Sequence, residues 1–597
     1  MEIIMVNKNT IQLLRDKAIG AMLGSACGDA LGWPNEHFGR SKHRKEQQDI
    51  FHEFKRWTHR TGGRFYSHEE LIEAGEYSDD TQLILCLCRS LQKGTEWWRY
   101  WTEVELPFWT LYERGGGGAT KRAANVWLDG KAPWSPGRKD KDIKEYFDAG
   151  GNGVAMRVLP HALYFINTNS FSSIAKSIML DGITTHGHPR ALVGALAYGY
   201  ALWKVLQRNS RLEYGEIISD LLNNITVWAK MPDISSENKE WLQQANHFQS
   251  RYENLWDITV QEIKSLFLIC RNELEKGAIV IDDDVLQSLG SFNPKISGAG
   301  TISAASAVFL ASRYAPDPIH GLIKAAFALG SDTDTIASMS GGLLGAINGS
   351  VWLSLLKDNI QDSIYLIKMA ESLIDQNQKE LQPKRISGIH RNELKNWSEK
   401  LVRTESNELI MPDGRKGTVG FISDQISKSG RYKVQFLKVV CEDGQNLFFK
   451  KISQCEFKPN KLGQSSRTNE TPAQPRNTNI NFGPKLSVES FDKSVKFYHD
   501  LLGLSIKKIL DDTIVFEEGL VLVPKNYCTK HLEGIPLRTM LYIEVRDIEK
   551  QLDLVRESGL EIITSMNQWG KSLRIFRCYD PDGNIVEVFG SETALKK

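Results

Sequence analysis

Apolar residues recur at intervals of three and four along the first four hundred positions of this chain, with polar and charged residues between them. This spacing predicts amphipathic helices, and alternating strand-like patterns are rare in the same region. The nearest approach to a membrane span is the run 193–203, which is shorter than the roughly eighteen apolar residues that a span requires. We therefore predict an all-α domain over residues 1–403.

The pattern changes after the helical region. Short alternating runs at 417–422, 431–437 and 445–449 are separated by turns that contain glycine, which predicts β-strands. We predict a small all-β, SH3-like barrel over residues 404–458, which either binds a peptide or nucleic acid or is a spacer packed on the helical domain. Residues 459–479 are rich in Pro, Ser, Thr, Asn and Gln, and we predict a flexible linker there.

The first long helical segment carries small residues at every fourth position, namely Gly20, Gly24, Gly28 and Gly32. Small residues on one helix face let a second helix approach closely, and Gly341, Gly342 and Gly345 in a later helix imply similar contact. Asp29 lies in the same apolar segment and is either hydrogen-bonded in the core or supports a nearby site. Pro34 ends the helix, which leaves Glu36 on a loop.

Two short acidic stretches, residues 77–81 and 331–335, each place two carboxylates and neighbouring hydroxyls directly before an apolar helical run. Helix capping explains either stretch alone, because Asp, Ser and Thr are common N-caps and carboxylates are favoured at the positive end of the helix dipole. If the fold brings both helix starts together, four carboxylates converge and require cations between them. Oxygen ligands suit Mg²⁺ or Mn²⁺ better than zinc, so we predict a site for two such ions.

Two glycine-containing turns precede further helices. The turn at residues 151–153 is equally able to lie along a pyrophosphate or to be an ordinary tight turn. The run of four glycines at 115–118 could wrap a phosphate, but it lacks the Lys-Ser/Thr ending of a P-loop, so we predict no P-loop NTPase. His186 and His188 have no third His or Cys near them in sequence, and we expect an orienting or capping role rather than a zinc site.

The overall composition excludes several classes of protein. The chain has 597 residues with a net charge of +1, so the global basic excess typical of nucleic-acid binding is absent, although such binding stays possible. Its eight cysteines form no CxxC pair, and the first residues lack a signal-peptide pattern, so we expect a cytoplasmic protein with no membrane partner. Basic and aromatic residues are mixed between Arg40 and Arg64. This segment is interpreted as a solvated loop, an anionic-ligand flap or a nucleic-acid contact.

Several motifs of the first domain occur together in a characteristic order. They are Gly28-Asp29-Ala30-Leu31-Gly32 with Glu36, Ser78-Asp79-Asp80-Thr81, Gly151-Asn152-Gly153 leading to Met156-Arg157, Thr185-His186 with Pro189, and Asp332-Thr333-Asp334-Thr335. This order resembles the ADP-ribosylglycohydrolase family, which includes the dinitrogenase-reductase-activating glycohydrolase. Ordered motifs that span the whole domain are far more specific than any one of them.

The resemblance implies an all-helical fold that holds two Mg²⁺ or Mn²⁺ ions in a cleft. The implied activity is hydrolysis of the N- or O-glycosidic bond between ADP-ribose and its acceptor. The implied metal ligands are Ser78, Asp79, Asp80, Asp332, Asp334 and Thr335. The implied substrate-binding residues are Gly151, Asn152, Gly153, Met156, Arg157 and His186, with the glycine turn at the phosphates. Ser78 replaces the commoner Thr, and Ser331 stands where Gly is frequent, which puts the local backbone geometry in question.

Cleavage of a ribosyl bond passes through an oxocarbenium-like state, helped by a carboxylate and by a water positioned at a metal. We hypothesise that Asp80 or Asp334 positions or deprotonates this water, and that Glu36 gates the site or assists protonation of the leaving group. The ADP-ribosylated acceptor is expected to be a protein side chain, with a nucleic-acid base or small molecule as alternatives. A non-catalytic ADP-ribose-binding protein is the competing hypothesis, and the four retained aspartates argue against it.

Residues 480–597 show a βα repeat that ends in a predicted hairpin. Strand-like residues 486–488 lead into a helical run at 494–504, and strand-like residues 541–545 lead into a second one at 548–559. The hairpin is predicted at 579–588. These segments resemble the vicinal-oxygen-chelate superfamily of glyoxalase and bleomycin-resistance proteins, which implies an α+β (βαβββ) fold. Of its usual metal ligands only Glu587 is retained, while Gly483 and Met540 occupy places where His is usual. We therefore predict no metal chemistry there, and a module that binds a small ligand or dimerises.

Overall fold

The computed structural model describes residues 8–36, 53–62, 67–249, 251–354, 356–375, 387–403, 408–427, 432–454, 485–488, 490–502, 504–510, 513–516, 520–524, 540–545, 548–569, 573–581 and 585–591. The chain divides into two compact units, Met1–Lys458 and Pro459–Lys597. Among the helices of these described residues, none has both the length and the apolar stretch needed to cross a membrane. The predicted linker, 459–479, lies outside the described residues.

The first unit consists mainly of α-helices, as predicted. In chain order they are α1 Lys8–Gly32, α2 Asp79–Leu91, α3 Trp97–Tyr100, α4 Leu106–Trp109, α5 Gly118–Trp127, α6 Asp140–Phe147, α7 Leu159–Tyr164, α8 Phe171–Thr185, α9 Pro189–Gln207, α10 Glu216–Asn223, α11 Ile225–Trp228, α12 Ser235–Gln249, α13 Tyr252–Leu274, α14 Asp282–Leu289, α15 Gly300–Arg313, α16 Pro318–Ala326, α17 Thr333–Asn348, α18 Ser363–Ile374 and α19 Arg391–Arg403. Both acidic motifs therefore lie at helix starts, those of α2 and α17.

Helices α1 and α17 pack antiparallel with direct backbone contact, which positions the rest of the site. A Cβ atom added at Gly24 would lie 2.3 Å from the carbonyl oxygen of Gly341, and one at Gly28 would lie 2.1 Å from that of Ala337. The predicted close approach at the glycine stripe is therefore confirmed. Because the helices are antiparallel, the end of α1 that carries Asp29 lies beside the start of α17.

We expect Gly28→Ala to destabilise the protein by about 3 kcal/mol, because a rigid backbone carbonyl lies where the methyl group would go. Chemical denaturation of the full chain would measure this loss. Gly117→Ala is the matched control, since an added Cβ there meets nothing within 4 Å, and its effect should stay within about 0.5 kcal/mol. Equal stability of the two variants would contradict the close packing.

A two-stranded antiparallel hairpin departs from the predicted all-α pattern. Its strands are β1 Trp57–Thr61 and β2 His68–Ile72. The sequence analysis predicted a solvated loop, an anionic-ligand flap or a nucleic-acid contact between Arg40 and Arg64, and residues 37–52 and 63–66 lie outside the described residues. The rings of Trp57 and His59 pack on Trp33, with centroids 5.1 and 5.4 Å away, so the hairpin covers the turn that follows α1.

The strands after α19 form one antiparallel sheet. In the order in which they pair, they are β3 Glu408–Ile410, β4 Lys416–Ile426, β5 Tyr432–Cys441 and β6 Asn446–Gln454. The predicted SH3-like barrel is wrong, because the described parts of β3 and β6 do not pair and the sheet stays open. Closure is unnecessary because Phe449 packs against Trp397 of α19 and Phe108 of α4, at 5.2 and 6.3 Å between ring centroids. The sheet therefore shares a core with the helical domain.

The second unit has the predicted α+β composition. Its elements are β7 Lys485–Val488, α20 Phe491–Val495, β8 Ile506–Leu510, β9 Thr513–Phe516, β10 Val521–Pro524, β11 Met540–Glu544, α21 Ile548–Glu557, β12 Ile562–Trp569, β13 Leu573–Tyr579 and β14 Ile585–Ser591. The strands form two sheets of identical topology, in which neighbouring strands follow the order β7-β10-β9-β8 and β11-β14-β13-β12. Two of the positions compared above with the superfamily's usual metal ligands are Glu587 and Gly483. The backbone of Glu587 on β14 pairs with that of Tyr542 on β11, whereas Gly483 lies outside the described residues.

Candidate active site

The first acidic motif begins α2 and is held there by α1. The Ser78 hydroxyl caps the helix by accepting a hydrogen bond from the Asp80 N–H at 3.4 Å. The buried Asp29 carboxylate accepts the N–H groups of Ser78 and Thr81, both at 3.0 Å, and the Thr81 hydroxyl at 2.6 Å. Asp29 is thus hydrogen-bonded in the core and also fixes the start of α2.

The second acidic motif begins α17 and meets the first. The Thr335 hydroxyl donates to Asp80 Oδ1 at 3.4 Å, across 255 positions of sequence. The Thr335 N–H donates to Asp334 Oδ1 at 2.8 Å, and the Asn152 side chain donates to Asp332 Oδ2 at 2.9 Å. The two motifs and the turn at residues 151–153 therefore surround one place in the fold.

The carboxyl groups of the two motifs affect one another's pKa because they lie close together. Burial raises the pKa of Asp79, Asp80 and Asp334 well above the ordinary value, and neighbouring carboxylates raise it further. Glu36, just past α1, belongs to the same cluster: burial, and then Asp332 and other acids, raise its pKa to about 7. A group that titrates near neutral pH can donate a proton, which a normal glutamate cannot.

The donor set of this cluster fits hard divalent cations. Asp80 Oδ2 is buried and has no hydrogen-bond partner among the described residues, so it is suited to bind an ion. Within that part of the chain, no three His, Cys, Asp or Glu side chains are grouped closely enough to hold a metal alone. Hydroxyl oxygens such as those of Ser78 and Thr335 would therefore complete a ligand set. The six metal-ligand assignments stay predictions.

In the presence of a chelator, we expect the melting temperature of the protein to fall as the pH rises from 6 to 8. The raised pKa of Glu36, about 7, means that the folded chain binds a proton more tightly than the unfolded chain. The resulting stabilisation is full below the ordinary glutamate pKa and is lost as the pH rises through about 7. Asp79, Asp80 and Asp334 act in the same direction.

Added Mg²⁺ should restore the melting temperature more at pH 8 than at pH 6, because a larger fraction of the Glu36 carboxylate is ionised at pH 8 and the proton competes less with the metal. Differential scanning calorimetry at both pH values, with and without Mg²⁺, measures this. A melting temperature that rises between pH 6 and 8 without metal would contradict the electrostatic description.

The turn at residues 151–153 is shaped by its neighbours. Gly151 bridges Ala299 in an isolated antiparallel pair, and the Asn152 N–H donates to the Gly298 carbonyl at 2.9 Å. A Cβ atom added at Gly153 would lie 2.9 Å from His186 Cε1, so the imidazole lies directly against the turn. The structure thus brings His186 to this turn.

The hydrogen bonds of His186 indicate its protonation state. Its Nδ1 lies 2.7 Å from the Thr185 hydroxyl, which itself accepts a hydrogen bond from Arg157 Nη2 at 2.9 Å. The hydroxyl proton is therefore available to Nδ1, which leaves Nε2 as the N–H donor. Burial, and then Arg157 and Arg122, lower the pKa of His186 to about 3, so it stays neutral.

Two predicted substrate-binding residues lie behind the turn rather than beside it. Arg157 is fully buried, and its described hydrogen bonds go to the Gly153 carbonyl, to Asp181 and to the Thr185 hydroxyl. Met156 is buried in the core that the helices share with the sheet. Arg157 holds the turn against the end of α8, and direct substrate contact by either residue stays a prediction.

The sequence analysis did not place Gly115 or Trp33 beside the acidic motifs. Gly115 has a φ of +93°, which favours glycine, and an added Cβ would lie 3.2 Å from Asp79 Oδ1 and 3.3 Å from Trp33 Nε1. Trp33 is buried, and its indole N–H has no hydrogen-bond partner among the described residues. The run of glycines at 115–118 was the available signal, but it pointed to a phosphate rather than to contact with an acidic motif.

Comparison with family models gives two matches. The model described as ADP-ribosylglycohydrolase matches residues 10–383, which is more than half of the chain. The model described as glyoxalase-like domain matches residues 482–592. The strands β3 to β6 belong to neither match.

Individual proteins are also similar to this chain. The chain is 26% identical over 346 residues to the uncharacterised protein YegU of Escherichia coli (strain K12), covering 56% of this chain and 88% of that protein. It is 30% identical over 196 residues to the ADP-ribosyl-[dinitrogen reductase] glycohydrolase of Rhodospirillum rubrum, covering 31% of this chain and 56% of that protein. A solved ADP-ribosylglycohydrolase-related protein complex is 19% identical with a TM-score of 0.40, covering 62% of this chain and all of that one.

Proposed function

The chain belongs to the ADP-ribosylglycohydrolase family, and we propose that it is a Mg²⁺-dependent hydrolase of the glycosidic bond between ADP-ribose and an acceptor, most simply a protein side chain. The observation that supports this best is the meeting of the two acidic motifs, where the Thr335 hydroxyl reaches Asp80. Glu36, with its raised pKa, lies in the same cluster. Two Mg²⁺ ions are proposed as the natural metal, with Mn²⁺ as a substitute.

The chain's own side chains would divide the chemistry between them. Asp80 or Asp334 would orient the attacking water and accept its proton, and Glu36 would protonate the leaving acceptor. When bound, divalent cations would neutralise the carboxylates and polarise ribose hydroxyls and water. Burial of the cluster excludes bulk water, which strengthens each of these electrostatic interactions.

The phosphates of the substrate would lie along the turn at residues 151–153. His186 would donate from Nε2 there, and its low pKa keeps it a neutral donor over the whole physiological range. A cavity of about 370 Å³ lies between α5 and α6, beside Thr185. It is lined by Arg122 and Arg138 among other residues, and it is large enough for the adenosine end of the substrate.

Incubation of the purified full chain with ADP-ribosylated arginine, serine and DNA substrates tests the proposal. Release of free ADP-ribose should require Mg²⁺ or Mn²⁺ and should stop in a chelator. Binding of ADP-ribose without release from any substrate would instead support the non-catalytic alternative. Release only from the DNA conjugate would keep the activity and change the acceptor.

We propose that the second unit binds a small ligand or dimerises, and that it carries no metal chemistry of its own. Its family match and its two sheets of like topology support a cupped binding module. Metal that stays bound to the full chain after replacement of Asp79, Asp80, Asp332 and Asp334 would contradict this.

A further inference from the structure

The sheet β3–β6 lies outside both family matches, yet it makes partly buried polar contacts with residues next to the acidic cluster. Lys450 on β6 donates to Glu70 Oε2 at 2.9 Å, and Arg114 donates to Glu70 Oε1 at 2.8 Å. Glu70 and Arg114 are only 3% and 2% exposed. Burial alone would raise the pKa of Glu70, but the two cations outweigh it and lower the pKa to about 2. Together with Glu76, which pairs with Arg114 at 2.8 Å, these side chains form a mostly buried ionic group that joins the sheet to the hairpin.

Arg114 links this ionic group to the acidic cluster. Its guanidinium lies 4.1 Å from the ring centroid of Phe448 on the sheet and 5.8 Å from that of Trp33. The next residue, Gly115, is the one whose backbone lies against the Asp79 carboxylate. The position of Asp79 relative to its neighbours thus depends on where the sheet holds Arg114.

A second connection runs through Asn446 at the start of β6. Its backbone N–H and its side-chain amide both donate to Asp362 Oδ1, at 3.0 and 2.5 Å. The Tyr77 hydroxyl donates to Asp362 Oδ2 at 2.6 Å, and Tyr77 directly precedes Ser78. Asp362 has a φ of +59°, a costly conformation for a non-glycine residue that these hydrogen bonds help to maintain.

We propose that the sheet is part of the hydrolase site, with Lys450 and Asn446 as positioning residues that fix the spacing of the metal-binding carboxylates. This inference rests on the proposed function, because it assumes that the cluster binds divalent cations. Lys450 acts through Glu70 and Arg114 on Gly115 and Asp79. Asn446 acts through Asp362 and Tyr77 on the start of α2. The sheet is therefore more than a spacer between the family-matched regions.

The test compares metal affinity among full-chain variants by isothermal titration calorimetry with Mn²⁺ and with Mg²⁺. Lys450→Met should weaken metal binding about 10- to 100-fold, the usual effect of removing a residue that orients metal ligands. Lys450→Arg should recover most of the affinity, because it keeps the charge beside Glu70. Lys451→Met is the matched control, because Lys451 is the next residue on β6 and points to the opposite face of the sheet. Its Nζ donates to the Ser398 carbonyl oxygen at 3.5 Å.

Asn446→Ala is the second variant, and it tests the positioning role of the sheet if Lys450→Met does not fold. It should weaken metal binding as well, while Lys451→Met stays within about twofold of the wild type. Folded Lys450→Met and Asn446→Ala proteins that bind metal as tightly as Lys451→Met would overturn the inference.

The same titration separates this inference from the proposed function. A wild-type chain that binds two metal ions but releases no ADP-ribose refutes the hydrolase proposal, while the comparison of affinities still tests the positioning role. A wild-type chain that binds no divalent metal refutes both. Catalytic constants add a further readout, since a loss of positioning should lower kcat at saturating metal more than it raises KM.

Discussion

Replacement of Asp80 by asparagine should lower the rate of ADP-ribose release by at least about 1000-fold, equivalent to ~4 kcal/mol of transition-state stabilisation. Asp80 is the carboxylate through which the two acidic motifs meet, and its buried Oδ2 has no protein partner among the described residues. An amide keeps the volume of the side chain but removes the charge that a divalent cation needs. Single-turnover measurement of ADP-ribose release at saturating Mg²⁺ would record the loss.

The same substitution should stabilise the metal-free protein, which distinguishes a lost ligand from a damaged fold. The pKa of Asp80 is raised because burial and nearby acids disfavour its charged form, so a neutral amide relieves that cost at neutral pH. The melting temperature in a chelator should therefore rise, and the stabilisation by Mg²⁺ should shrink. Asp140→Asn, at the exposed start of α6, should change neither quantity. Normal turnover by Asp80→Asn would remove the cluster from the mechanism.

The main features of the helical domain could be predicted because they depend on local patterns. The glycines of α1 recur every fourth residue, and only another helix in backbone contact explains such spacing. The two acidic motifs could be paired because each combines two aspartates with neighbouring hydroxyls, although nothing local in either motif shows that Thr335 reaches Asp80. The spacing of apolar residues thus predicted the helices, and the two similar acidic motifs predicted that the starts of α2 and α17 lie together.

The remaining features depend on long-range contacts that a sequence pattern does not contain. The strands after α19 alternate in the way that a closed barrel does, but the described strands pair as an open sheet whose Phe449 is covered by Trp397 and Phe108 of the helical domain. Arg157 follows the glycine turn as a phosphate-binding arginine would, yet Asp181 lies beside it in the core and pairs with it. Whether a charged residue faces a ligand or a buried partner is decided by tertiary structure.

Replacement of Glu36 by glutamine should slow the release of ADP-ribose from arginine or serine by about 100- to 10,000-fold. These acceptors leave as strong bases, so they need a proton in the transition state, and Glu36 is the acid in the cluster whose pKa is raised to about 7. The wild-type rate should fall as the pH rises through this pKa, because the proton donor is then lost. Bound cations would lower that pKa, so the fall should begin below pH 7 at saturating Mg²⁺. In Glu36→Gln this dependence should disappear.

An acceptor that needs no proton provides the internal control. A carboxylate ester of ADP-ribose releases a weak base, whose conjugate acid has a pKa of about 4, so Glu36→Gln should slow its hydrolysis far less than that of an arginine or serine conjugate. Glu73→Gln is the matched surface variant, because Glu73 is largely exposed and its carboxylate pairs with the exposed Arg56 at 3.1 Å. Equal slowing of the ester and the arginine conjugate would show that Glu36 supports the cluster electrostatically instead of donating a proton, since only a proton donor discriminates between leaving groups.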